Sequence, residues 1–152
     1  MLLTDLLSIE RIRIPLESRS KDDVLKELVD LITRENRVDD PEDVLRAVME
    51  REAVLSTGIG NGVAIPHGKS SAVPDLRMAA GLTREPVDFD ALDGQPVRLF
   101  FMLVGPETAA GPHIKALSRI SRLVRREEVR ERLISTRDAN EFLRALREAE
   151  GA

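Results

Sequence analysis

The sequence contains no cysteine, no tryptophan and no tyrosine, and only four phenylalanines and two histidines among its 152 residues. Without cysteine the chain can form neither a disulfide nor a thiolate metal site. With so few aromatic rings and a net charge of −4, it is poorly suited to binding nucleic acid. No apolar run reaches the ~18 residues of a membrane span, and the N-terminus lacks the basic start of a signal peptide. We therefore expect a cytoplasmic protein with no nucleic-acid partner and no direct membrane insertion.

The length and the apolar periodicity predict one domain, residues 1–152, that contains both strands and helices. Strands are predicted at Ile9–Leu16, Val63–Ile65, Leu76–Thr83 and Val97–Val104. Helices are predicted from about Lys21 to Asn36, from Pro41 to near Ala53, from Pro112 onward, around Val129–Ile134, and from about Asp138 to Ala149. The strand Val97–Val104 is apolar almost throughout, as expected for a strand covered on both faces. We therefore predict an α/β fold, a single compact domain with a mixed central sheet flanked by helices.

Three helix starts carry recognisable signals. Ser20 is followed three residues later by Asp23, which is typical of an N-cap. Pro41 and Pro112 are each predicted to be the first helical residue, where the missing N–H costs no hydrogen bond. For the helix after Pro112, the predicted buried stripe is Ile114, Leu117, Ile120 and Val124.

The most informative stretch is Ser56–Lys69, which holds four of the nine glycines and one of the two histidines. Glycine allows backbone N–H groups to approach an anion closely, and we expect this run to be mobile. Pro66 then restricts the backbone directly before His67. The pattern favours His67 as a nucleophile that takes up a phosphoryl group.

Two nucleotide-binding motifs nearly fit this stretch, and both fail on spacing. A P-loop has four residues between its first glycine and Gly-Lys-Ser, whereas Gly62 and Gly68 enclose five. The dinucleotide fingerprint Gly-x-Gly-x-x-Gly is not met, because Gly58, Gly60 and Gly62 close one residue early. The segment that follows also reads as a strand rather than a helix. A nucleotide-binding protein is therefore a weak alternative.

The stretch Ser56–Lys69 resembles the phosphorylated loop of IIA domains of the bacterial phosphotransferase system, in the fructose–mannitol class. The similarity extends from about Leu2 to Leu146, and the nitrogen-regulatory branch is the most similar. The resemblance implies that His67 carries the phosphoryl group on Nε2. From the sequence alone, either ring nitrogen remains possible.

The resemblance also assigns supporting residues. His113 corresponds to the family's second histidine and is expected to bind the phosphoryl group or to orient His67, with the two rings facing each other. A place in the first turn of a helix would keep it neutral. Arg51 matches the arginine beside the phosphohistidine, although it is also an ordinary helix-end cation. The remaining candidates for phosphoryl binding are Thr57, Gly58, Gly60 and Asn61.

These last four positions also have a purely structural interpretation. Thr57 could simply hold the loop, Gly58 and Gly60 could only provide turns, and Asn61 tolerates a left-handed backbone. A second pattern, Arg119, Arg122, Arg126 and Arg130, would lie on one side of an unbroken helix. It is interpreted either as an ion-paired solvated face or as a docking surface for an acidic partner.

The sequence thus predicts a phosphohistidine carrier rather than a stand-alone enzyme, with no cofactor and no metal. The expected partners are an HPr-like phosphocarrier protein as donor and either downstream regulatory targets or a IIB domain as acceptor. Nitrogen regulation and sugar uptake, as a fructose- or mannitol-like IIA component, are the two outputs considered. The composition disfavours a metal-dependent hydrolase. Such a site needs at least three ligands of suitable type, and the chain has only two histidines, so Asp or Glu would have to complete it.

Overall fold

The computed structural model describes residues 2–34 and 38–151. In this part of the chain six strands form: β1 Ile12–Leu16, β2 Gly58–Gly60, β3 Val63–Ala64, β4 His67–Lys69, β5 Arg77–Val87 and β6 Val97–Gly105. The same residues form five α-helices: α1 Lys21–Thr33, α2 Pro41–Val54, α3 Ala110–Val124, α4 Glu127–Ile134 and α5 Ala139–Gly151. Short 3-10 turns lie at Leu3–Asp5, Ile9–Arg11 and Glu107–Ala109.

The strands form one mixed sheet in the order β1-β5-β6-β3-β2, which confirms the predicted fold class. Strands β1 and β5 are parallel, and β5 and β6 are antiparallel. On the other side of β6, both β3 and β4 run parallel to it, one after the other. Strand β3 pairs with Leu99 and Phe100, and β4 pairs further along, with Leu103 to Gly105. Residues 63–69 therefore pair with β6 as two successive parallel strands, separated only by Ile65 and Pro66.

Helices cover both faces of this sheet. Along β6, Leu99, Phe101 and Leu103 belong to the core cluster shared with α3, α4 and α5. The alternate residues Phe100, Met102 and Val104 belong to the cluster shared with α1 and α2. Successive side chains of a strand point to opposite faces, so an apolar strand can fill two cores at once. The prediction of a central strand buried on both faces is confirmed.

The predicted starts of the first two long helices are confirmed. Ser20 Oγ accepts a hydrogen bond from Asp23 N at 3.3 Å, and Asp40 Oδ1 accepts one from Asp43 N at 3.2 Å. Pro41 is the first residue of α2. Within α1 all six predicted apolar residues are buried. The predicted end of α1, about Asn36, lies outside the described residues.

The start of α3 was predicted wrongly. The helix begins at Ala110, so Pro112 is its third residue and His113 its fourth. The buried stripe consists of His113, Ala116, Ile120 and Val124. Ile114 was predicted in this stripe, but it is 66% exposed, because His113 occupies the inward position of the first turn.

Several strand boundaries also differ from the prediction. Ile9–Arg11 is a 3-10 turn, and the strand begins only at Ile12. Strand β5 continues to Val87, four residues beyond the predicted Thr83. Within the described residues, no helix combines the length and the apolar character that crossing a membrane requires.

The predicted arginine stripe is not continuous, because α3 ends at Val124 and α4 begins at Glu127. Arg119 Nε contacts Glu150 of α5 at 2.8 Å. Arg126 pairs with Glu128, whereas Arg130 donates to the carbonyl of Val124, at the end of α3. Arg119 and Arg126 thus form ion pairs, but the four arginines do not share one helix face.

Candidate active site

A surface cleft of about 620 Å³ lies where β4, α2 and α3 meet. Its lining residues are Arg46, Ala47, Glu50, Arg51, Val54, His67, Gly68, Lys69, His113, Ile114 and Leu117. Three of the predicted site residues, His67, His113 and Arg51, therefore share one cleft. His67 is half-buried, so its ring is fixed by the protein and still reachable from the surface.

The pairing of β4 with β6 places His67 beside Leu103. Pro66 contributes its carbonyl, which accepts a hydrogen bond from Leu103 N at 3.0 Å. His67 therefore begins a strand, whereas the sequence had placed it after the end of one. Because His67 and Lys69 are two residues apart in a strand, their side chains project to the same side, which agrees with their both lining the cleft.

Gly68 allows α2 to approach β4 closely. A Cβ atom on Gly68 would lie 3.1 Å from Val48 N and 3.2 Å from the carbonyl carbon of Ala47. Any larger residue would push α2 away from the sheet. The absence of a side chain at this position therefore helps to hold Arg51, one turn further along α2, beside His67.

The His67 ring is oriented by the backbone. Its Nδ1 lies 2.9 Å from the carbonyl oxygen of Ile65. A carbonyl can only accept a hydrogen bond, so Nδ1 must carry the proton. In the neutral ring Nε2 then holds the free lone pair.

His113 lies opposite His67. The two ring centroids are 5.6 Å apart and the ring planes are inclined by 69°, an edge-to-face arrangement. This confirms the expectation that the two imidazoles face each other. His113 is only 2% exposed, and neither of its ring nitrogens has a hydrogen-bond partner. A buried polar group without a partner is costly, and such a group in a cleft points to a ligand.

Both imidazoles are disposed to stay neutral. Burial lowers the pKa of His113 to about 4, and the charges of His67 and Lys69 act in the same direction. The sequence predicted a neutral His113 from the helix start, but burial is the larger cause. The pKa of His67 is also lowered, chiefly by burial and further by the positive charges of Arg51 and Lys69. The hydrogen bond to Ile65 and the negative charge of Glu52 act in the opposite direction and raise it.

The glycine-rich run contains a β-hairpin, where the sequence had predicted a loop; its expected mobility stays a prediction. Strands β2 and β3 pair antiparallel and are joined by Asn61 and Gly62, both with positive φ, at 57° and 76°. Positive φ at both central residues is typical of the tight turn that suits a hairpin. Gly60 and Asn61 line a different cavity, with Ile59, Ser121, Val124 and Arg125.

Thr57 and Gly58 lie behind the cleft. Thr57 is buried, and both its N–H and its hydroxyl donate to the Glu52 carboxylate. Gly58 packs against Ala91, where an added Cβ would lie 2.7 Å from the Ala91 Cβ. Phosphoryl binding by Thr57, Gly58, Gly60 or Asn61 stays a prediction.

The sequence reasoning gave no role to three features of this site: Lys69, the Ile65 carbonyl, and Glu52, which it noted only as the partner of Arg51 in the family's Arg-Glu pair. Lys69 had a detectable signal, since it is a cation two residues after His67, although the sequence predicted no strand there. The carbonyl had none, because a backbone acceptor is invisible in a sequence. Among residues 2–34 and 38–151, no three His, Cys, Asp or Glu side chains are grouped as metal ligands would be.

Residues 5–149 match the model of the family described as the phosphoenolpyruvate-dependent sugar phosphotransferase system, EIIA 2. The chain belongs to this family.

Similar proteins include both nitrogen regulatory proteins and sugar-specific components. A nitrogen regulatory protein of Bradyrhizobium diazoefficiens is 40% identical over 146 residues, which cover 91% of this chain and 90% of that protein. A fructose-specific EIIABC component of Bacillus subtilis is 40% identical over 134 residues, which cover 88% of this chain but only 21% of that protein. The chain therefore spans about a fifth of the fructose-specific relative.

A solved structure agrees with the fold. The nitrogen regulatory protein IIA-Ntr of Neisseria meningitidis superposes with a TM-score of 0.88 at 38% identity. The match covers 95% of this chain and 98% of that one. The resemblance inferred from the glycine-rich stretch, to IIA domains and to their nitrogen-regulatory branch, is thus confirmed.

Proposed function

We propose that His67 is the phosphoryl acceptor of this IIA domain and that Nε2 is the attacking atom. The observation that carries the proposal is the contact of Nδ1 with the Ile65 carbonyl at 2.9 Å. It places the proton on Nδ1 and leaves Nε2 with its lone pair. A lowered pKa keeps the ring in this nucleophilic form near neutral pH.

The reaction is a transfer between two ring nitrogens. The Nε2 lone pair attacks the phosphorus of a phosphohistidine on the donor. The N–P bond of the donor breaks, and its electron pair returns to the donor ring. His67 keeps the proton on Nδ1 throughout, so no base is needed. Positive charge grows on the His67 ring as the new bond forms, and the Ile65 carbonyl stabilises it through the Nδ1–H.

The cleft supplies positive charge and donors for the phosphoryl oxygens, which such a transfer chiefly requires. Arg51 uses one N–H for the carbonyl of Leu55 at 2.9 Å, and a guanidinium has five N–H donors. Lys69 lies on the same side of β4 as His67. Neutral His113 has one N–H without a partner, and a phosphoryl oxygen would accept from it. We assign Arg51, Lys69 and His113 to phosphoryl binding.

The donor is proposed to be an HPr-like phosphocarrier protein that docks over the cleft. Two apolar residues at its rim, Val54 and Ile114, are 80% and 66% exposed. Apolar side chains exposed beside a reactive group are typical of a protein-docking surface. A donor of this kind places the reaction in the cytoplasm.

Two outputs remain, each favoured by one observation. The match to nitrogen regulatory proteins covers nearly all of both chains, which favours signalling by phosphorylation state to downstream targets. The fructose-specific relative has the same identity, and its name joins IIA with IIB and IIC, which favours transfer to a IIB domain during sugar uptake. We propose the regulatory output as the principal one. Sugar phosphorylation that depends on this chain and a cognate IIB-containing transporter would reverse that preference.

The central experiment is phosphorylation with phosphoenolpyruvate and the upstream carriers, followed by mass spectrometry of the intact protein. We expect an acid-labile gain of one phosphoryl group in the wild type and no gain in His67→Ala. His113→Ala should still be labelled, but more slowly, because it removes a ligand rather than the nucleophile. Full labelling of His67→Ala would show that another residue is the acceptor.

A further inference from the structure

A buried carboxylate lies behind the cleft and is joined to it by hydrogen bonds. The Glu52 side chain is 4% exposed and lies 3.1 Å from Lys21 Nζ. Its Oε2 accepts from the N–H of Thr57 at 2.8 Å, and its Oε1 accepts from the Thr57 hydroxyl. Three donors therefore hold the negative charge, and none of them belongs to His67.

Thr57 connects Glu52 to His67 through further hydrogen bonds. Its carbonyl accepts from the N–H of Ile65 at 3.0 Å, and the Ile65 carbonyl lies 2.9 Å from His67 Nδ1. Every donor along this path points from His67 toward Glu52. The groups that accept and donate at Thr57 and at Ile65 belong to different peptide units, so the path acts by anchoring the backbone of these two residues and by the Coulomb field of the carboxylate. The negative end of the path lies at the carboxylate and the positive end at the His67 ring.

Lys21 fixes the far end of the path. A buried carboxylate is costly unless it is paired, and the Lys21 ammonium provides the opposite charge. This ammonium also lies 4.7 Å from the centroid of the Phe89 ring, in a cation–π contact. The Phe89 carbonyl accepts from the Ser56 hydroxyl at 3.0 Å. Lys21, at the start of α1, thus contacts Glu52 directly and Ser56 only indirectly, through Phe89.

We infer that Glu52, held by Lys21, is a positioning residue that fixes the Nδ1–H tautomer and the orientation of His67 through Thr57 and Ile65. This inference rests on the proposed function of His67. The path performs two tasks. It anchors the acceptor carbonyl of Ile65, and it places a negative charge where it favours the positive charge that develops on the ring during transfer. The charge of Glu52 raises the pKa of His67, as a carboxylate that stabilises the charged ring must.

The test is Glu52→Gln, which keeps the shape and one acceptor oxygen but removes the charge. The first readout is the ¹⁵N chemical shifts of the unphosphorylated His67 ring, which report the tautomer directly. The second is the rate of phosphoryl uptake as a function of donor concentration. We expect the variant ring to populate both tautomers, and kcat to fall on the order of 10- to 100-fold with KM unchanged, since the docking surface is untouched.

Glu27→Gln is the matched control. Glu27 also accepts from two backbone N–H groups and a hydroxyl, those of Glu17 and Ser18. It also forms an ion pair, with Arg13 at 3.0 Å. Its contacts lie at the end of β1, away from the cleft. Loss of its charge should lower stability without changing the His67 tautomer or kcat.

A second variant keeps the test decisive if Glu52→Gln does not fold. Lys21→Met leaves the carboxylate bonded to Thr57 but removes its countercharge, and it should change the tautomer and kcat in the same direction by a smaller amount.

Wild-type ¹⁵N shifts and kcat in the folded Glu52→Gln and Lys21→Met proteins would overturn the inference. Failure of the proposed function gives a different result, because His67→Ala would then still be phosphorylated. The tautomer is measured without phosphate, so it tests the positioning role independently of that outcome.

Discussion

The imidazole of His113 meets that of His67 edge to face, with 5.6 Å between the ring centroids. The two rings belong to elements that are far apart in the chain, β4 and α3, and they meet because both elements pack against β6. The pKa values of both rings are lowered, chiefly by burial. Both rings are therefore neutral near pH 7, as the proposed roles of His67 as nucleophile and His113 as hydrogen-bond donor require.

The pKa of His67 should lie below the ordinary value of a histidine side chain. Burial, together with Arg51 and Lys69, lowers its pKa, and the nucleophilic neutral form exists above that pKa. An NMR titration of the ring should give a midpoint below about 6.5. Phosphoryl uptake at saturating donor should then stay constant as the pH falls to that value. A midpoint at or above the ordinary value would contradict the assigned environment.

His113 should make folding sensitive to acid. The unfolded chain binds a proton at this ring below about pH 6.5, whereas the folded protein does so only below about 4. The stability that depends on neutral His113 is therefore complete above the unfolded pKa and is lost as the pH falls toward 4. Relative to His113→Gln, the wild type should lose roughly 1–3 kcal/mol of unfolding free energy between these limits.

Denaturant unfolding of both proteins at several pH values measures this difference. The carboxylates are the same in the two proteins and cancel in the comparison. A difference that does not change with pH would show that His113 is accessible to protons in the folded state.

Gly68→Ala should separate α2 from β4. The new Cβ would lie 3.1 Å from Val48 N, and overpacking of this kind costs about 1–3 kcal/mol. Because Arg51 moves with α2, phosphoryl uptake should also slow. The measurements are the unfolding free energy and the rate of uptake.

Gly111→Ala is the control for that change. A Cβ at Gly111, in the first turn of α3, would meet no atom within 4 Å. Stability should stay the same or rise by up to about 1 kcal/mol, since alanine suits a helix better than glycine. An equal loss of unfolding free energy in Gly68→Ala and Gly111→Ala would contradict the prediction, because it would show that the close contact of Gly68 with α2 is not the cause.

Ile114→Asp should weaken donor docking without changing the chemistry. The side chain is 66% exposed at the rim of the cleft, so removing it costs little stability. We expect a higher KM for the donor protein with kcat and the thermal midpoint nearly unchanged. Leu92→Asp is the matched control, because Leu92 is 62% exposed on the loop after β5. A KM raised equally by both changes would indicate a general charge effect rather than a docking contact.

Local signals in the sequence predicted much of the fold correctly. The cap at Ser20 and the helix start at Pro41 depend on contacts within one helical turn, and the apolar run of β6 reports burial on both faces directly. The start of α3 was missed for a related reason. None of the first N–H groups of a helix has an internal partner, so Pro112 is tolerated at the third position as well as at the first. The outward position of Ile114 has a separate cause: the buried face of α3 runs through His113, Ala116, Ile120 and Val124, and consecutive helical residues lie about 100° apart around the axis.

The sequence by itself determined which groups this protein offers for chemistry: a histidine after a glycine-rich stretch, a second histidine and an arginine, in an α/β domain of the IIA family. Only the tertiary structure decided how these groups act. The neutrality of His113 comes from burial between elements distant in the chain. The orientation of His67 comes from a backbone carbonyl and, behind it, from Glu52. Such effects depend on distances between non-neighbouring atoms, which residue types and spacings do not contain.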